Sequence, residues 1–205
     1  MSLFPMFVKL RGRLVVVIGG GEIAVGKIDG LLRAGAKVRV VAPEVNAAFI
    51  EPIRSGKVEW VARKFQVQDL AGARFVIAAT SAPGVNAAVY REAEARGILC
   101  NAVDDIENCH FYYGSVVQRG DLQIAISTNG KSPALAQRLR QELEQQFGSE
   151  YEVWLEWLGA ARELLRAAEG GTESNKQMLH HLASKPMYER FMKEARKEPS
   201  QQGVS

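Results

Sequence analysis

The amino-terminal half of this chain predicts an α/β fold, a doubly wound parallel sheet, on three observations. Short β-branched runs recur along it, helical segments fall between them, and glycine marks several of the junctions. Strands joined through helices build parallel sheets, because a parallel crossover needs a long connection and a helix supplies it. The right-handed crossover rule then leaves few topologies.

Leu14-Val15-Val16-Val17-Ile18 is a continuous apolar run, the signature of a strand buried on both faces. Gly19-Gly20-Gly21 ends it. Residues 23–34 follow with helical spacing, with Ile23, the Lys27 stem, Leu31 and Ala34 on related turns, and Gly35 closes the helix. Val38-Arg39-Val40-Val41-Ala42 is a second strand, and residues 46–54 predict a short helix despite Pro52. Val58-Glu59-Trp60-Val61 and Phe75-Val76-Ile77-Ala78-Ala79 give the third and fourth strands. A helix over residues 85–96 and a fifth strand over 98–103 complete the alternation.

The pattern changes after Asp105. Residues 113–118 and 122–127 are strand-like and separated by Arg119-Gly120-Asp121, which predicts an antiparallel hairpin. Turn chemistry accounts for the Arg-Gly-Asp tripeptide without any adhesion role. Ser132 as N-cap and Pro133 at the first helical position open a strong helix, with Leu135, Leu139 and Leu143 on one face. A second helix spans residues 151–168. Gly170-Gly171 reads as a flexible joint, one or two short helices follow from Ser174 to Arg196, and the tail from Lys197 reads as frayed.

Composition narrows the function classes. The 205 residues are 47% hydrophobic and 24% charged, as in ordinary globular proteins, and are enough to bury a core without disulfides. A net charge of +3, evenly spread, argues against nucleic acid. No apolar run approaches the ~20 residues that span a bilayer, and no signal peptide is read. Two cysteines, Cys100 and Cys109, make no disulfide framework, so a reducing, cytoplasmic setting is expected. Cys109 and His110 are adjacent, but no closed set of four ligands appears, and no metal site is assigned. His180 and His181 read as surface residues.

The run Gly19-Gly20-Gly21-Glu22-Ile23-Ala24 fits the dinucleotide fingerprint G-x-G-x-x-G/A between a strand and a helix. Gly19 permits the tight turn, Gly21 admits a pyrophosphate to the backbone, and Ala24 lets helix pack closely on strand. The helix N-terminus offers free N–H groups to phosphate. This makes the fold Rossmann-type. Glu44, slightly late after the second strand, is a candidate for the adenine ribose. No Arg or Lys follows at once to meet a 2′-phosphate, which favours NAD over NADP. Thr80, at the end of the fourth strand, either contacts the cofactor or caps a turn.

Four segments resemble the precorrin-2 dehydrogenase family, which also forms the amino-terminal module of siroheme synthases: Val16 through Ala24, Phe75 through Thr80, Cys100 through Asp105, and Arg119 through Ala136. The last is the most specific, since no generic dinucleotide fold needs it. The match covers roughly residues 1–150. It implies NAD-dependent oxidation of precorrin-2 to sirohydrochlorin, and some members also insert ferrous iron. It implies Asp104 as the acid/base residue, with Glu22, Ile23, Pro43 and Glu44 around the adenosine half. It further implies a homodimer. The division is then a Rossmann domain over residues 1–112, a small α+β dimerisation region over 113–147, and a helical region over 148–205. One departure stands out. Gly114 occupies a usual proline position, and loosening of a bend is expected there.

The residues agree with that chemistry. Asp104 follows the fifth strand, at the carboxyl edge where a substrate lies, and a carboxylate there takes a proton. Precorrin-2 carries many carboxylates. Lys131 and Ser132 at a helix N-terminus form a candidate anion site, with Arg119 and Arg138 as further candidates. Two other readings stay open: a non-catalytic NAD-sensing module, and a chelatase-only tetrapyrrole protein.

Overall fold

The computed structural model describes residues 3–168 and 172–195. They fall into two compact units, Met1–Tyr113 and Gly114–Ser205, each treated separately below.

The first unit holds five parallel strands: β1 (Leu14–Ile18), β2 (Lys37–Val41), β3 (Val58–Val61), β4 (Phe75–Ala78) and β5 (Leu99–Ala102). Their order is β3-β2-β1-β4-β5. The chain therefore winds outward one way from β1 and then crosses back to β4, so the β1/β4 boundary is the switch point where open α/β sheets bind ligands. Register is set by apolar partners, with Val17 opposite Val40 on one side and Ile77 on the other. Three helices link the strands: α1 (Glu22–Arg33), α2 (Ile50–Arg54) and α3 (Pro83–Ala95).

The alternation of Cβ direction divides each strand between two cores. Val15, Val17, Val38, Val40 and Ile77 meet Ala24, Ile28 and Leu31 of α1 on one face. Val16, Ile18, Val76, Cys100 and Ala102 meet Val89 and Ala93 of α3 on the other. Both faces of the central strands are covered, which is why their sequences are continuously apolar instead of alternating. The predicted helix at residues 46–54 is a 3₁₀ turn, Ala47–Phe49, running into α2. Pro52 is tolerated because it lies in the first turn of α2, where no intrahelical N–H bond is lost.

The second unit contains the hairpin β6 (Ser115–Arg119) and β7 (Leu122–Ile126), then α4 (Pro133–Gln146), α5 (Glu150–Ala167), α6 (Thr172–Leu182) and α7 (Lys185–Ala195). The hairpin loop is two residues long, Gly120-Asp121, because Arg119 pairs with Leu122. Gly120 takes φ +54° at the first loop position, the place a II′ turn reserves for glycine. Ser132 caps α4, its hydroxyl accepting from the Leu135 N–H at 3.2 Å. Arg119 turns to the other end of α4. It donates from Nε to the Phe147 carbonyl at 2.9 Å and from a terminal nitrogen to the Glu144 carbonyl at 3.1 Å. Tyr151 stacks on Tyr188 and Trp154 packs edge-on against both where α5 meets α7. The expected joint at Gly170-Gly171 and the expected frayed tail lie outside the described residues.

Gly114 does not loosen the chain. A Cβ there would lie 2.7 Å from the Ile126 carbonyl oxygen, so the glycine allows a close approach to the β7 backbone. The expectation of a loosened bend is corrected by that contact.

Candidate active site

A cleft of about 980 Å³ opens at the carboxyl ends of β1, β2 and β4. Gly19, Gly21, Glu22, Ile23, Pro43, Glu44 and Thr80 all line it. Seven of the sequence candidates, drawn from three separate stretches of chain, thus converge on one cavity at the switch point. Ala24 does not reach it. It is fully buried on the sheet-facing side of α1, the close-packing place that the fingerprint requires.

The three glycines have three different reasons. Gly19 has φ +113°, and a Cβ on it would lie 2.3 Å from the Ala79 carbonyl oxygen. Gly20 donates nothing to the fingerprint, yet a Cβ on it would lie 2.3 Å from the Glu44 carbonyl oxygen. Its own carbonyl accepts from the Asn46 N–H at 2.7 Å, which ties the fingerprint loop to the loop after β2. Gly21 is the opposite case. It is the N-cap of α1 with ordinary extended dihedrals (φ −79°, ψ −175°), and a Cβ on it would meet nothing within 4 Å. Nothing in the chain requires glycine there. Empty space in front of an uncapped helix N-terminus, whose first N–H groups have no side-chain partner, fits a phosphate group brought against the backbone. The residues present therefore fit a dinucleotide.

Thr80 has a structural task as well as a place in the cleft. Its hydroxyl donates to Asn86 Oδ1 at 2.7 Å, and the buried Asn86 returns a hydrogen bond to the Thr80 carbonyl at 3.0 Å. The Ala82 N–H donates to the same hydroxyl at 3.2 Å. Thr80 thus builds the turn into α3. Lys64 and Phe65, from the loop after β3, also line the cleft, and no local sequence signal marks them. They lie about twenty residues beyond Glu44 in sequence, and only the β2–β3 pairing brings them to the cofactor side. Lys64 is a cation at a cleft whose nearby sequence showed none.

Asp104 lies at the end of β5, the strand beside β4. The Val103 N–H donates to the Ala78 carbonyl at 2.9 Å, which joins its turn to the strand end that borders the cleft. Asp104 is exposed and has φ +61°, a left-handed conformation uncommon for a non-glycine residue. Such strain persists where surrounding structure holds it. The returning segment supplies that hold. The Cys109 thiol contacts the Ala102 and Asp105 carbonyls, both at 3.1 Å. His110 Nδ1 accepts from the Cys100 N–H at 2.9 Å while Nε2 bonds Glu94, so the proton sits on Nε2. Asn101 donates to the Phe111 carbonyl at 2.8 Å. Burial pushes the Cys100 thiol up to about 12, which makes it an inert core residue. The Cys109-His110 pair therefore stitches the Asp104 turn in place.

In the second unit, Lys131 is exposed just before α4 and Arg138 pairs with Glu142 on its surface. Arg119 has its donors committed to main-chain carbonyls, as described. Among the described residues no group of three or more His, Cys, Asp or Glu side chains is placed to hold a metal ion. No described helix is long and apolar enough to cross a membrane.

Comparison with known proteins agrees with this layout. A family model described as "Putative NAD(P)-binding" matches residues 6–115, and one described as "Sirohaem biosynthesis protein central" matches residues 119–146. The siroheme synthase of Photorhabdus laumondii is 44% identical over 144 residues, 70% of this chain and 31% of that protein. Siroheme synthase 1 of Serratia proteamaculans is 38% identical over 171 residues, 82% of this chain and 36% of that protein. The chain thus spans about a third of the length of these relatives. The solved structure of SirC, a precorrin-2 dehydrogenase, superposes with a TM-score of 0.78 at 27% identity, covering 96% of this chain and 100% of that one.

Proposed function

We propose that this chain, which belongs to the putative NAD(P)-binding family and also matches the sirohaem biosynthesis central model, oxidises precorrin-2 to sirohydrochlorin with NAD. The observation that supports this reading is the open space at Gly21 after β1, with the Asp104 carboxylate beyond β5 at the same edge of the sheet, two strands along.

Oxidation of the reduced macrocycle removes two electrons and two protons from its conjugated ring system. NAD, when bound, supplies the acceptor for one hydrogen with both electrons. The chain supplies position and a base. Gly19 and Gly20 hold the loop against β4 and the chain after β2, Gly21 admits the pyrophosphate, and α1 directs its N–H groups at it. Glu22, Ile23, Pro43 and Glu44 border the adenosine half, with Lys64 and Phe65 on the β3 side. Asp104 takes the remaining proton as a carboxylate, and its strained turn fixes the direction of approach. Lys131, Ser132 and Arg138 are proposed to meet substrate carboxylates. The protein acts as a homodimer in this proposal, and ferrous iron is a second substrate: as it binds the four macrocycle nitrogens two N–H protons are displaced, and Asp104 takes them on to solvent.

The test is anaerobic conversion of precorrin-2, followed by absorbance, with NAD, with NADP and with neither. Sirohydrochlorin formation dependent on NAD is expected. Its absence with folded protein would overturn the proposal and favour a sensing or chelatase-only role.

A further inference from the structure

Lys27 is the feature near the site that the proposed mechanism does not use. It lies on α1 one turn beyond Ile23, so it shares the face that borders the cleft. It does not line the cleft itself, which places it outside the cofactor envelope, on the side of Asp104. Its ammonium sits 4.2 Å from the centroid of the Tyr113 ring. Tyr113 packs on Phe111, and Phe111 packs edge-on against Phe75 of β4, so the ring is a fixed floor. The cation–π contact holds the ammonium from one side.

On its other sides the ammonium is under-used. An ammonium has three donors, and among the described residues Lys27 makes no hydrogen bond and no ion pair within 4 Å. It is nevertheless half-buried. Burial lowers its pKa and Asp104 raises it in part, so that carboxylate is felt electrostatically without an ion pair within 4 Å. A half-buried cation with an aromatic floor and free donors, unpaired by the carboxylate it feels, is arranged to receive an anion.

We propose that Lys27 binds a carboxylate of the tetrapyrrole beside Asp104 and so sets which edge of the macrocycle faces the base. The inference rests on the reading of this protein as a precorrin-2 dehydrogenase. A phosphate of the cofactor is the less fitting anion, because the fingerprint loop and the α1 N-terminus already receive the pyrophosphate a full turn away.

The experiment is an anaerobic absorbance titration of the full chain with sirohydrochlorin, for wild type, Lys27→Met and Lys27→Arg. NAD affinity is measured in parallel by calorimetry. A charge-assisted hydrogen bond to a carboxylate predicts about 10- to 100-fold weaker binding for Lys27→Met. Most of that is expected to return in Lys27→Arg, with NAD affinity unchanged in both. Wild-type sirohydrochlorin affinity in Lys27→Met would overturn the inference alone, as would a changed pH profile of turnover with binding intact. Loss of NAD affinity in both variants would show that Lys27 serves α1 instead, and would also overturn it. Failure of the wild type to bind sirohydrochlorin would overturn the underlying reading as well.

Discussion

Replacing Gly21 by alanine separates what the fold needs from what the cofactor needs. The wild-type dihedrals at Gly21 are ones alanine adopts freely, and its methyl would meet no atom of the chain. Alanine loses some N-cap preference but gains about 0.4–1 kcal/mol by restricting the unfolded chain, so stability should change by less than about 1 kcal/mol. The same methyl would stand where a phosphate approaches the α1 N-terminus. Losing one or two charge-assisted contacts costs about 1.5–3 kcal/mol, or roughly 10- to 100-fold in NAD dissociation constant. Gly19→Ala is the control. Its methyl would lie 2.3 Å from the Ala79 carbonyl oxygen at φ +113°, and about 3 kcal/mol or more of stability should be lost. Urea unfolding and calorimetric NAD titration of both variants read the two effects separately. Wild-type NAD affinity in Gly21→Ala, or equal destabilisation in the two variants, would refute the reasoning.

Other consequences follow from buried polar groups. Asp69 is almost fully buried and accepts from Arg63 at 2.6 and 2.8 Å, which holds its carboxyl below the usual aspartate value, with a backbone bond from Gln66 adding to the effect. A depressed folded-state pKa stabilises above the unfolded value of about 3.9 and is lost as pH falls below it. Asp69→Asn should therefore cost about 2 kcal/mol at pH 7 in urea unfolding and show a flatter decline below pH 4 than wild type. Arg119→Ala should lower stability by about 2 kcal/mol through the uncapped end of α4, with the KM for precorrin-2 unchanged; a raised KM would return Arg119 to the substrate site. Cys100 is buried with its thiol pushed up to about 12, so a thiol reagent at pH 8 should label it only on unfolding, as peptide mapping would show.

The parts of this fold that were legible in the sequence are those fixed by local pattern. β1 was readable because a run buried on both faces has no polar alternation to confuse it, and Gly19, Gly21 and Ala24 were readable because a pyrophosphate imposes their spacing. Gly20 falls at a variable position of the fingerprint, and its need for glycine is illegible locally because its partner, the Glu44 carbonyl, is twenty-four residues away. Lys64 and Phe65 were missed for the same reason: β3 must pair with β2 before they reach the cleft. Gly114 was misread because the sequence shows a missing proline ring but not the Ile126 carbonyl pressed against it. Asp104 could be placed at a strand end from pattern, but its role came from family resemblance. Its left-handed backbone and the Cys109-His110 stitch that supports it are long-range features of the return along β5.

Asp104 is the base of the proposed reaction, and the rate of sirohydrochlorin formation by Asp104→Asn at saturating NAD tests that role most directly. Asparagine keeps the size and hydrogen-bonding reach of the side chain and tolerates positive φ, so the turn should survive. Loss of a positioned base predicts a rate about 10²- to 10⁴-fold below wild type with NAD affinity unchanged. A rate within a few-fold of wild type would contradict the assignment of Asp104 and leave the dinucleotide cleft without its base.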